Sequence, residues 1–401
     1  MIADLHIHSK YSRACSKDLN FENLVKWAKI KGINLLGTGD FSHPVWIKEM
    51  KDKLVEKEGK GIYYYQDFPF IITGEISLIY TQEHGRKVHL ILLVPSIEVA
   101  EKINAYLDTK GRRDYDGRPI FKITCENFVK DMMSISKAIE VIPAHIWTPY
   151  FGVFGSMSGF DSLKEAFGSQ LENVHAIETG ISSDPAMNWK IKELWNKSIL
   201  SFSDSHSFWP FRLGREATIF NKTDSYFGIV EQIRKNSLIG TIETDPAYGK
   251  YHWDGHNLCD FSCSPEKTKE INNICPQCKK NLVIGVEHRV NDLANASGKP
   301  SNARIFYTLL PLHEIISLAF GVGMQSKKIW SSYTPLIEAF GNEFEILLHV
   351  SREKLLQAGV SEKLAELILL NREGKIKVNP GFDGRYGVAV IGNEEKQASL
   401  I

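Results

Sequence analysis

Two histidines separated by one residue stand in the first strand-like run of the chain, DLHIHSKYS. Residues i and i+2 of a strand point to the same face, so His6 and His8 should project side by side. Two imidazoles held in this way form half of a metal site. Packed or solvated histidines are the structural alternative, and a short motif alone does not decide between the two.

Further residues of metal-binding type stand within or just after later apolar runs. In chain order they are Asp40, His43, Glu75, His89, His145, Glu178, Asp204 and His206. Imidazole and carboxylate together favour transition metals over calcium, and clustered ions activate water and hold the oxygens of a phosphoryl group. Any one of these residues is more simply an ordinary core or surface side chain. Their joint occurrence predicts a multinuclear site of Zn²⁺, Mn²⁺ or Mg²⁺, in which Glu75 can bridge two ions.

Such a site needs a fold that brings distant segments together. Apolar strand-like runs, among them INLLGTGD, KVHLILLVP and SILSFSDS, alternate with amphipathic helical patterns up to about Ile242. This alternation is typical of an α/β domain with a mainly parallel sheet, and about seven strands suit a closed or distorted barrel. Barrels collect their active-site residues at the C-terminal ends of the strands, which is where the candidate ligands fall.

Four of the six cysteines cluster after the predicted barrel, at Cys259, Cys263, Cys275 and Cys278. Two short cysteine knuckles of this kind form a tetrahedral structural zinc site. In a reducing compartment the cluster indicates metal binding rather than disulfides. A small module with few apolar residues needs its metal to fold. Because its lysines are offset by nearby acids, DNA contact by the module stays open.

The composition sets outer limits on function. The chain has 401 residues, 43% of them hydrophobic, with 24% charged and a net charge of zero. No apolar run is long enough to span a bilayer, and the N-terminus lacks a signal-peptide pattern. We therefore expect a cytoplasmic protein with no membrane partner. The neutral balance neither favours nor excludes a nucleic-acid enzyme with a local basic groove, and no P-loop motif is present.

The pattern predicts three regions: a barrel over residues 1–245, a zinc module over 246–300 and a helical region over 301–401. In the last region, REKLLQAGVSEKLAELILLNREGKI is similar to a helix-hairpin-helix. Its shared apolar face would contain Leu355, Leu356, Ala365 and Ile368, although an ordinary packed helical hairpin explains the pattern as well. The final KQASLI is similar to a sliding-clamp-binding peptide at Gln397 and Leu400, without the aromatic pair, so a sliding clamp is a candidate partner.

The motifs HIHSKYS, GDFSH, GE, KVH, PAH and SDSH resemble those of the PHP (polymerase and histidinol phosphatase) superfamily, a distorted seven-stranded metal-dependent barrel. The resemblance implies a centre of two or three metals. It assigns the first metal to His6, His8, Glu75 and Asp204, which would be the catalytic residues. It assigns the second metal to Glu75, His89 and His145, and the third to His43 and His206.

The chain departs from the superfamily pattern at two places. A further His or Asp is usual shortly after the first motif, where this chain reads SRACSKD, so Cys15 or Asp18 would have to serve. The second motif is commonly Asp-His in succession, whereas two residues separate Asp40 from His43 here. Glu178 is a candidate extra ligand.

Four longer strings, IPAHIWTPYFGVFGSMSGFDSLKEAFG, ETGISSDPAMNW, GKYHWDGHNLC and NPGFDGRYG, resemble the endonuclease Q family of PHP-domain DNA-repair enzymes. This likeness covers nearly the whole chain. It implies hydrolysis of the phosphodiester immediately 5′ of a deaminated base (uracil, hypoxanthine or xanthine) or of an abasic site, in single- or double-stranded DNA.

An enzyme that inspects a base would rotate it out of the stack. Trp147 and Trp209 follow His145 and His206 closely, so both are candidates to contact the substrate. Arg212 and Arg215 in FRLGRE are candidates to hold the phosphate. Core packing and surface ion pairs are the alternatives.

Two other functions remain open at this point. A PHP phosphatase acting on a small phosphomonoester would use the same metals, but it has little need for a zinc module and a helical tail. A non-catalytic DNA-binding scaffold would have lost part of the ligand set, which is nearly complete here.

Overall fold

The computed structural model describes residues 1–391, in which strands and helices alternate as the sequence pattern predicts. The α/β class is confirmed. The strands are β1 Ile2–Asp4, β2 Leu35–Gly37, β3 Val55–Glu56, β4 Tyr63–Tyr65, β5 Phe68–Gln82, β6 His84–Val94, β7 Ile120–Phe121, β8 Glu140–Pro143, β9 Ala176–Glu178, β10 Ser198–Leu200, β11 Ala217–Ile219, β12 Gly240–Glu243, β13 Asp254–His256, β14 Phe261–Cys263, β15 Ile305–Thr308, β16 Lys377–Asn379 and β17 Val388–Val390.

The helices cover the faces of the sheet and build most of the C-terminal region. They are α1 Phe21–Lys31, α2 Pro44–Lys53, α3 Ile97–Asp108, α4 Cys125–Ile135, α5 Leu163–Phe167, α6 Pro185–Asn188, α7 Tyr226–Arg234, α8 Pro265–Glu270, α9 Val286–Leu293, α10 Leu312–Phe320, α11 Lys327–Phe340, α12 Glu343–Leu348, α13 Arg352–Gln357 and α14 Glu362–Arg372. Short 3₁₀ helices span Gly168–Asn173, Lys192–Asn196, Pro246–Tyr248 and Asn257–Cys259. Within the described residues, none of the helices has the length and apolarity needed to cross a bilayer.

The main sheet has eleven strands in the part of the chain that the structure describes. Its order is β15-β12-β11-β1-β2-β5-β4-β3, with β6 and β7 also pairing with β5, and β8 pairing with β6. Strands β9 and β10 form a separate parallel pair. The segment after β10 returns to β1, because Ile7 and Ser205 form a parallel bridge in which His8 N donates to Ser205 O at 2.9 Å.

The expectation of a mainly parallel sheet is wrong for its longest pair. Strands β5 and β6 run antiparallel from the Ile72–Val94 pair to the Gln82–His84 pair. Glu83, with φ of +63°, is the one residue between the two strands. A parallel pair needs a crossover of about a dozen residues or more. The turn within TQEHGR is far shorter than that, so the two strands can pair only as an antiparallel hairpin.

Helix α1 buries one apolar stripe. In α1, Asn20 caps the first turn by accepting a hydrogen bond from Asn23 N at 3.0 Å, and Gly32 ends the helix with φ of +96°. Phe21, Leu24 and Ala28 on this helix are fully buried in the large core cluster. That cluster continues into α10–α14, so the helical region shares one apolar core with the main sheet.

The chain leaves the main sheet after β12 and returns to it at β15, which pairs in parallel with β12 from Gly240–Ile305 to Glu243–Thr308. The predicted zinc module is therefore an insertion between two neighbouring strands. Residue 301 onwards is also not wholly helical, because β15, β16 and β17 lie there.

The predicted helical hairpin is formed by α13 and α14, joined by a turn in which Gly359 has φ of +81°. Leu355, Ala365 and Ile368 are buried on its inner face, and Leu356 is half-buried. Gln397 and Leu400, on which the clamp-binding expectation depends, lie outside the described residues.

A buried ion pair joins α12 of the helical region to α1. Lys31 Nζ on α1 donates to Glu343 Oε1 on α12 at 2.6 Å and to Pro210 O at 2.8 Å. Tyr333 OH donates to the other oxygen of Glu343 at 2.7 Å. Breaking a pair of this kind by removing one partner typically destabilises a protein by about 3–5 kcal/mol.

Two buried carboxyl groups lie at neighbouring strands of the sheet: Glu216 directly precedes β11, and Glu243 ends β12. Ser201 Oγ donates to Glu216 Oε2 at 3.2 Å and to Glu243 Oε2 at 3.0 Å, and Thr179 Oγ1 donates to Glu243 Oε2 at 2.9 Å. Burial raises the pKa of Glu243 to about 8, and burial together with the negative charge of Glu243 raises the pKa of Glu216 well above its usual value.

We expect Glu243→Gln to make stability less dependent on pH. A raised native pKa means that the folded protein keeps a proton which the unfolded chain releases above pH of about 4.5. Stability should therefore fall as pH rises towards about 8, by about 1.4 kcal/mol per pH unit for each retained proton. Urea unfolding at pH 5.5, 7 and 8.5 in EDTA tests this, and parallel slopes for both proteins would contradict it.

Candidate metal centre

Two groups of side chains that could hold metal ions meet at Glu75. The first contains His6, His8, Glu75 and Asp204, and the second contains Glu75, His89 and His145. The two oxygens of Glu75 divide between the groups. Oε2 lies 3.4 Å from His6 Nε2 and 3.3 Å from His8 Nε2, whereas Oε1 lies 2.7 Å from His89 Nδ1 and 3.3 Å from His145 Nε2. A carboxylate placed in this way can bridge two ions.

The backbone turns sharply at several of these positions. Asp40, His145 and Asp204, each just beyond a strand, have φ of +48°, +30° and +47°. This region is sparsely populated for residues other than glycine and typically costs about 1–3 kcal/mol. Gly180, with φ of +55°, makes room beside His145, because a Cβ there would lie 2.5 Å from His145 Cβ.

Asp40 and Glu178 lie behind the histidines of the first group, and they are not members of it. His6 Nδ1 donates to Glu178 Oε1 at 2.8 Å, and His8 Nδ1 donates to Asp40 Oδ1 at 2.9 Å. Both Nε2 atoms consequently face Glu75 and Asp204. A carboxylate that accepts the second N–H of a ligating histidine fixes its tautomer and ring orientation. Glu178 also accepts from His145 N at 2.7 Å, so it touches both groups.

His43 and His206, to which the superfamily resemblance assigns a third metal, do not form such a group within the described residues. The His43 ring stacks on Tyr11 with 4.4 Å between centroids. The His206 ring lies 4.3 Å from that of His8, and its Nδ1 donates to Asp204 O at 3.0 Å. His206 therefore lies beside the first group, whereas His43 is buried against Tyr11. Cys15 and Asp18 are in none of the groups.

The buried carboxylate of Glu75 is surrounded by basic side chains that favour its ionised form. Burial alone would raise the pKa of Glu75, but His89, Arg118 and His6 hold it well below its usual value. Burial lowers the pKa of His89 itself to about 4. Because arginine stays protonated at any ordinary pH, Arg118 is a permanent positive charge beside Glu75.

Arg118, in the basic loop KGRRDYDGRP of residues 110–119, is not among the site residues that the sequence predicts. Its Nη1 donates to Glu75 Oε2 at 3.0 Å. The loop reaches this position because Gly117 passes close to the site: a Cβ there would lie 2.2 Å from Asp40 Oδ2 and from Ser12 Oγ. A glycine directly before an arginine in a basic loop was the signal available in the sequence.

The first group fits a divalent transition metal. It supplies two imidazole nitrogens and two carboxylates within 4.8 Å of one another, a donor set that suits zinc or manganese. Within the described residues, the buried Nε2 of His6 has no hydrogen-bond partner. Buried polar atoms are nearly always satisfied, so an ion is the natural partner for this nitrogen.

In the predicted zinc module, the side chains that could hold a metal ion are not the four cysteines named from the sequence. The four side chains that come together are His256, Cys259, Cys275 and Cys278, with Cys278 Sγ 3.3 Å from His256 Nδ1. Cys263 instead lies 3.2 Å from Thr268 Oγ1. The set is Cys₃His, which also suits structural zinc. The signal in the sequence was the matched spacing of His256-x₂-Cys259 and Cys275-x₂-Cys278.

The four candidate substrate contacts fall into two classes. Trp147 is fully buried and its Nε1 donates to Asn188 Oδ1 at 2.8 Å, and Arg215 is 3% exposed with its guanidinium over the Tyr248 ring. Both therefore belong to the core. Trp209, 37% exposed, and Arg212, half-buried, lie on the loop after His206 and remain open to a substrate.

Comparisons with known proteins identify the family. In crystal structures, the fold matches the lesion-specific endonuclease PfuEndoQ of Pyrococcus furiosus with a TM-score of 0.88 and 30% identity over 100% of this chain and 97% of that one. It matches an endonuclease Q bound to a 27-mer duplex with an abasic lesion at the active site equally well, over 98% and 97%. The chain belongs to the endonuclease Q family.

Two uncharacterized proteins are similar to the chain in sequence. The uncharacterized protein YqxK of Bacillus subtilis is 27% identical over 96% of this chain and 98% of its own length. The uncharacterized protein MJ0043 of Methanocaldococcus jannaschii is 34% identical over 69% of this chain, which spans only 34% of that protein. Residues 311–375 match the family model of the MJ0043 C-terminal domain.

We expect Glu178→Gln to weaken metal binding at the centre. An amide has one acceptor oxygen, so it cannot accept from both His6 Nδ1 and His145 N as Glu178 does. Loss of such an orienting group typically lowers metal affinity by about 10–100-fold. Calorimetric titration with Mn²⁺ measures the change. The exposed Glu172→Gln serves as control, and equal affinities in both variants would count against this role.

In the zinc module, we expect His256→Ala to lose one zinc per chain and Cys263→Ala to keep it. Only His256 belongs to the four-residue group. Metal analysis by atomic emission, compared with the unsubstituted protein, distinguishes the two variants. The opposite result, zinc lost from Cys263→Ala and kept by His256→Ala, would restore the four-thiolate site.

Proposed function

We propose that the chain is a metal-dependent endonuclease that cuts damaged DNA. The observation that carries this proposal is the pair of ligand groups sharing Glu75. It occurs in a chain that matches, over nearly its full length, a solved endonuclease Q with an abasic lesion in its active site.

Each residue of the centre has a definable part in this reaction. Divalent ions held by the two groups would supply an acidic water and neutralise the phosphate oxygens. Asp40 and Glu178 keep the Nε2 atoms of His8 and His6 pointed at the site. Arg118, 26% exposed at its side chain, is close enough to Glu75 to contact a phosphate that enters there.

The finer assignment follows the family resemblance. We propose cleavage immediately 5′ of uracil, hypoxanthine, xanthine or an abasic site. We also propose that β1, β2, β5, β6, β8, β9 and β10 are the seven strands of the distorted PHP barrel. The Ile7–Ser205 bridge supports closure of this ring, because it joins the segments that follow its first and last members.

We expect the protein to cut a labelled duplex that carries one deoxyuridine or abasic site, given Mn²⁺, Zn²⁺ or Mg²⁺, with the break on the 5′ side of the lesion. Excess EDTA should abolish the cut. Glu75→Gln and Asp204→Asn should lower the rate at least about a thousandfold, because the first removes the carboxylate shared by both groups and the second removes one of the two carboxylates of the first group. The exposed Glu338→Gln is the matched control.

Gel mapping to the nucleotide gives the site of cleavage, and circular dichroism shows that the variants remain folded. Full activity of both Glu75→Gln and Asp204→Asn would overturn the assigned centre. Faster hydrolysis of p-nitrophenyl phosphate than of lesion-containing DNA would instead favour a PHP phosphatase.

A further inference from the structure

The buried carboxyl groups of Glu216 and Glu243 take no part in the metal centre and have no positively charged partner. Both side chains are fully buried, and among residues 1–391 neither forms an ion pair. Arg215, directly before Glu216 in the chain, pairs with Glu314 instead, at 3.4 Å. The two carboxyl groups are close together, because each has an oxygen within 3.2 Å of Ser201 Oγ. Two adjacent carboxylates in a protein interior need protons or cations to balance their charge.

The hydroxyl groups around the two carboxyl groups supply too few protons for the oxygens that face them. Ser201 Oγ has one proton and lies within 3.2 Å of three acceptors, which are Glu216 Oε2, Glu243 Oε2 and a backbone oxygen of β12. Thr179 Oγ1 also has one proton, and it faces Glu243 Oε2 at 2.9 Å and a backbone oxygen of β10 at 3.2 Å. Two protons therefore serve four oxygens, so the carboxyl groups need a further source of positive charge.

Two more oxygens at the same place have no partner at all. Glu243 Oε1 and Thr241 Oγ1 are buried, and within the described residues neither forms a hydrogen bond. Thr241 and Glu243 are two residues apart on β12, so their side chains point to the same face of the strand. Burial raises the pKa of Glu243, and the Thr241 hydroxyl is near enough to lower it in part. Because buried polar atoms are nearly always satisfied, these two oxygens indicate a bound ligand.

The chemistry of the donor atoms indicates which kind of ligand this is. The atoms that face one another here are carboxylate, hydroxyl and backbone oxygens, without a nitrogen or sulfur among them. An all-oxygen set suits a hard cation, in contrast to the imidazole-containing groups around Glu75. Ca²⁺ takes about 6–8 oxygen ligands in a flexible geometry, whereas Mg²⁺ requires a near-octahedral site and keeps several waters. Two carboxylates match the charge of one divalent ion.

We propose that Glu216 and Glu243, together with the hydroxyl groups of Ser201 and Thr241, form a buried Ca²⁺ site. Without the ion, retained protons balance the charge of the carboxyl groups, in agreement with the raised pKa values of Glu216 and Glu243. The proposal does not depend on whether the chain cuts DNA, because none of these four residues belongs to the two ligand groups that share Glu75.

The position of the Ca²⁺ site in the fold gives the ion a structural role. Ser201 follows β10, Glu216 precedes β11 and Glu243 ends β12, so the ion would join the separate β9–β10 pair to the main sheet. Glu178 is the last residue of β9 and accepts from His6 Nδ1 at 2.8 Å, and the residue after it donates to Glu243. The ion would therefore also stabilise the strand end that orients one histidine of the metal centre.

The test measures Ca²⁺ binding in protein that has been loaded with Zn²⁺ and freed of the excess, so that the histidine and cysteine groups are already occupied. Calorimetric titration at pH 8 should give one Ca²⁺ per chain, and saturating Ca²⁺ should raise the unfolding temperature more than Mg²⁺ does. Glu243→Gln should bind Ca²⁺ at least about tenfold more weakly, because it removes one of the two anionic ligands. The exposed Glu338→Gln is the matched control and should bind like the unsubstituted protein.

Thr241→Val distinguishes a cation site from a pair of acids that only pack together. Valine has nearly the shape of threonine and suits a strand, but it offers no oxygen to an ion. The variant should bind Ca²⁺ several-fold more weakly, on the order of the loss of one neutral ligand. In EDTA its unfolding temperature should be unchanged or higher, because the hydroxyl that it removes has no hydrogen-bond partner.

Two results would overturn the Ca²⁺ site. If the zinc-loaded unsubstituted protein neither binds Ca²⁺ nor is stabilised by it, Glu216 and Glu243 hold protons only. If Glu243→Gln and Thr241→Val both bind Ca²⁺ as tightly as the unsubstituted protein, the ion binds elsewhere. Neither result bears on the proposed endonuclease function, because the cutting assay depends on the groups around Glu75 and contains no Ca²⁺.

Discussion

A carboxylate buried as fully as that of Glu75 has to be neutralised by positive charge at close range, because an isolated ion in a protein interior is strongly unfavourable. Arg118 supplies such a charge, and ring nitrogens of His6, His8, His89 and His145 also lie within 3.4 Å of its oxygens. His89 comes from β6, which pairs with β5, whereas His6 and His8 follow β1, His145 follows β8, and Arg118 lies on a loop. The fold can therefore keep Glu75 buried only by bringing these segments together, and the same arrangement leaves both oxygens ready to share cations.

Residues that contact the candidate ligands from behind keep the side chains around Glu75 in one arrangement. Asp40 has a left-handed backbone, yet its carboxylate accepts from Ser9 N at 2.6 Å, Ser9 Oγ at 2.7 Å and Ser12 Oγ at 2.9 Å as well as from His8. Several hydrogen bonds to an ionised group offset the cost of one strained residue. Backbone strain at Asp40, His145 and Asp204 is thus compensated by the contacts that position the histidines.

The sequence predicts the fold class and the ligand groups, because these depend only on the type of each residue and on its place relative to a strand. The alternation of runs predicts the α/β class, and the motif resemblance implies the two sets of side chains that the structure brings together around Glu75. The β5–β6 hairpin was missed because two apolar runs look the same whether they pair in parallel or antiparallel. The connection of only a few residues between them carried the information.

The role of a residue could not be predicted from the sequence where it depends on the direction in which the side chain points. Whether Asp40 or Glu178 faces a metal or the back of a histidine depends on the turn that carries it. The zinc module shows the same limit, because four cysteines are present and only three of them join His256. Arg118 was hidden for another reason: a loop can reach the centre only if Gly117 lets its backbone pass Asp40.

The topology also bears on how a lesion could be distinguished from normal DNA. The ligand groups contain only side chains suited to metals and phosphate, which every nucleotide offers, so discrimination has to come from outside them. The zinc module leaves the sheet after β12 and re-enters at β15, directly beside it, and β16–β17 packs on the segment after β12 through Gly381 N and Gly387 N. Two ends fixed on adjacent strands anchor the module to the sheet, which a single flexible linker would not do.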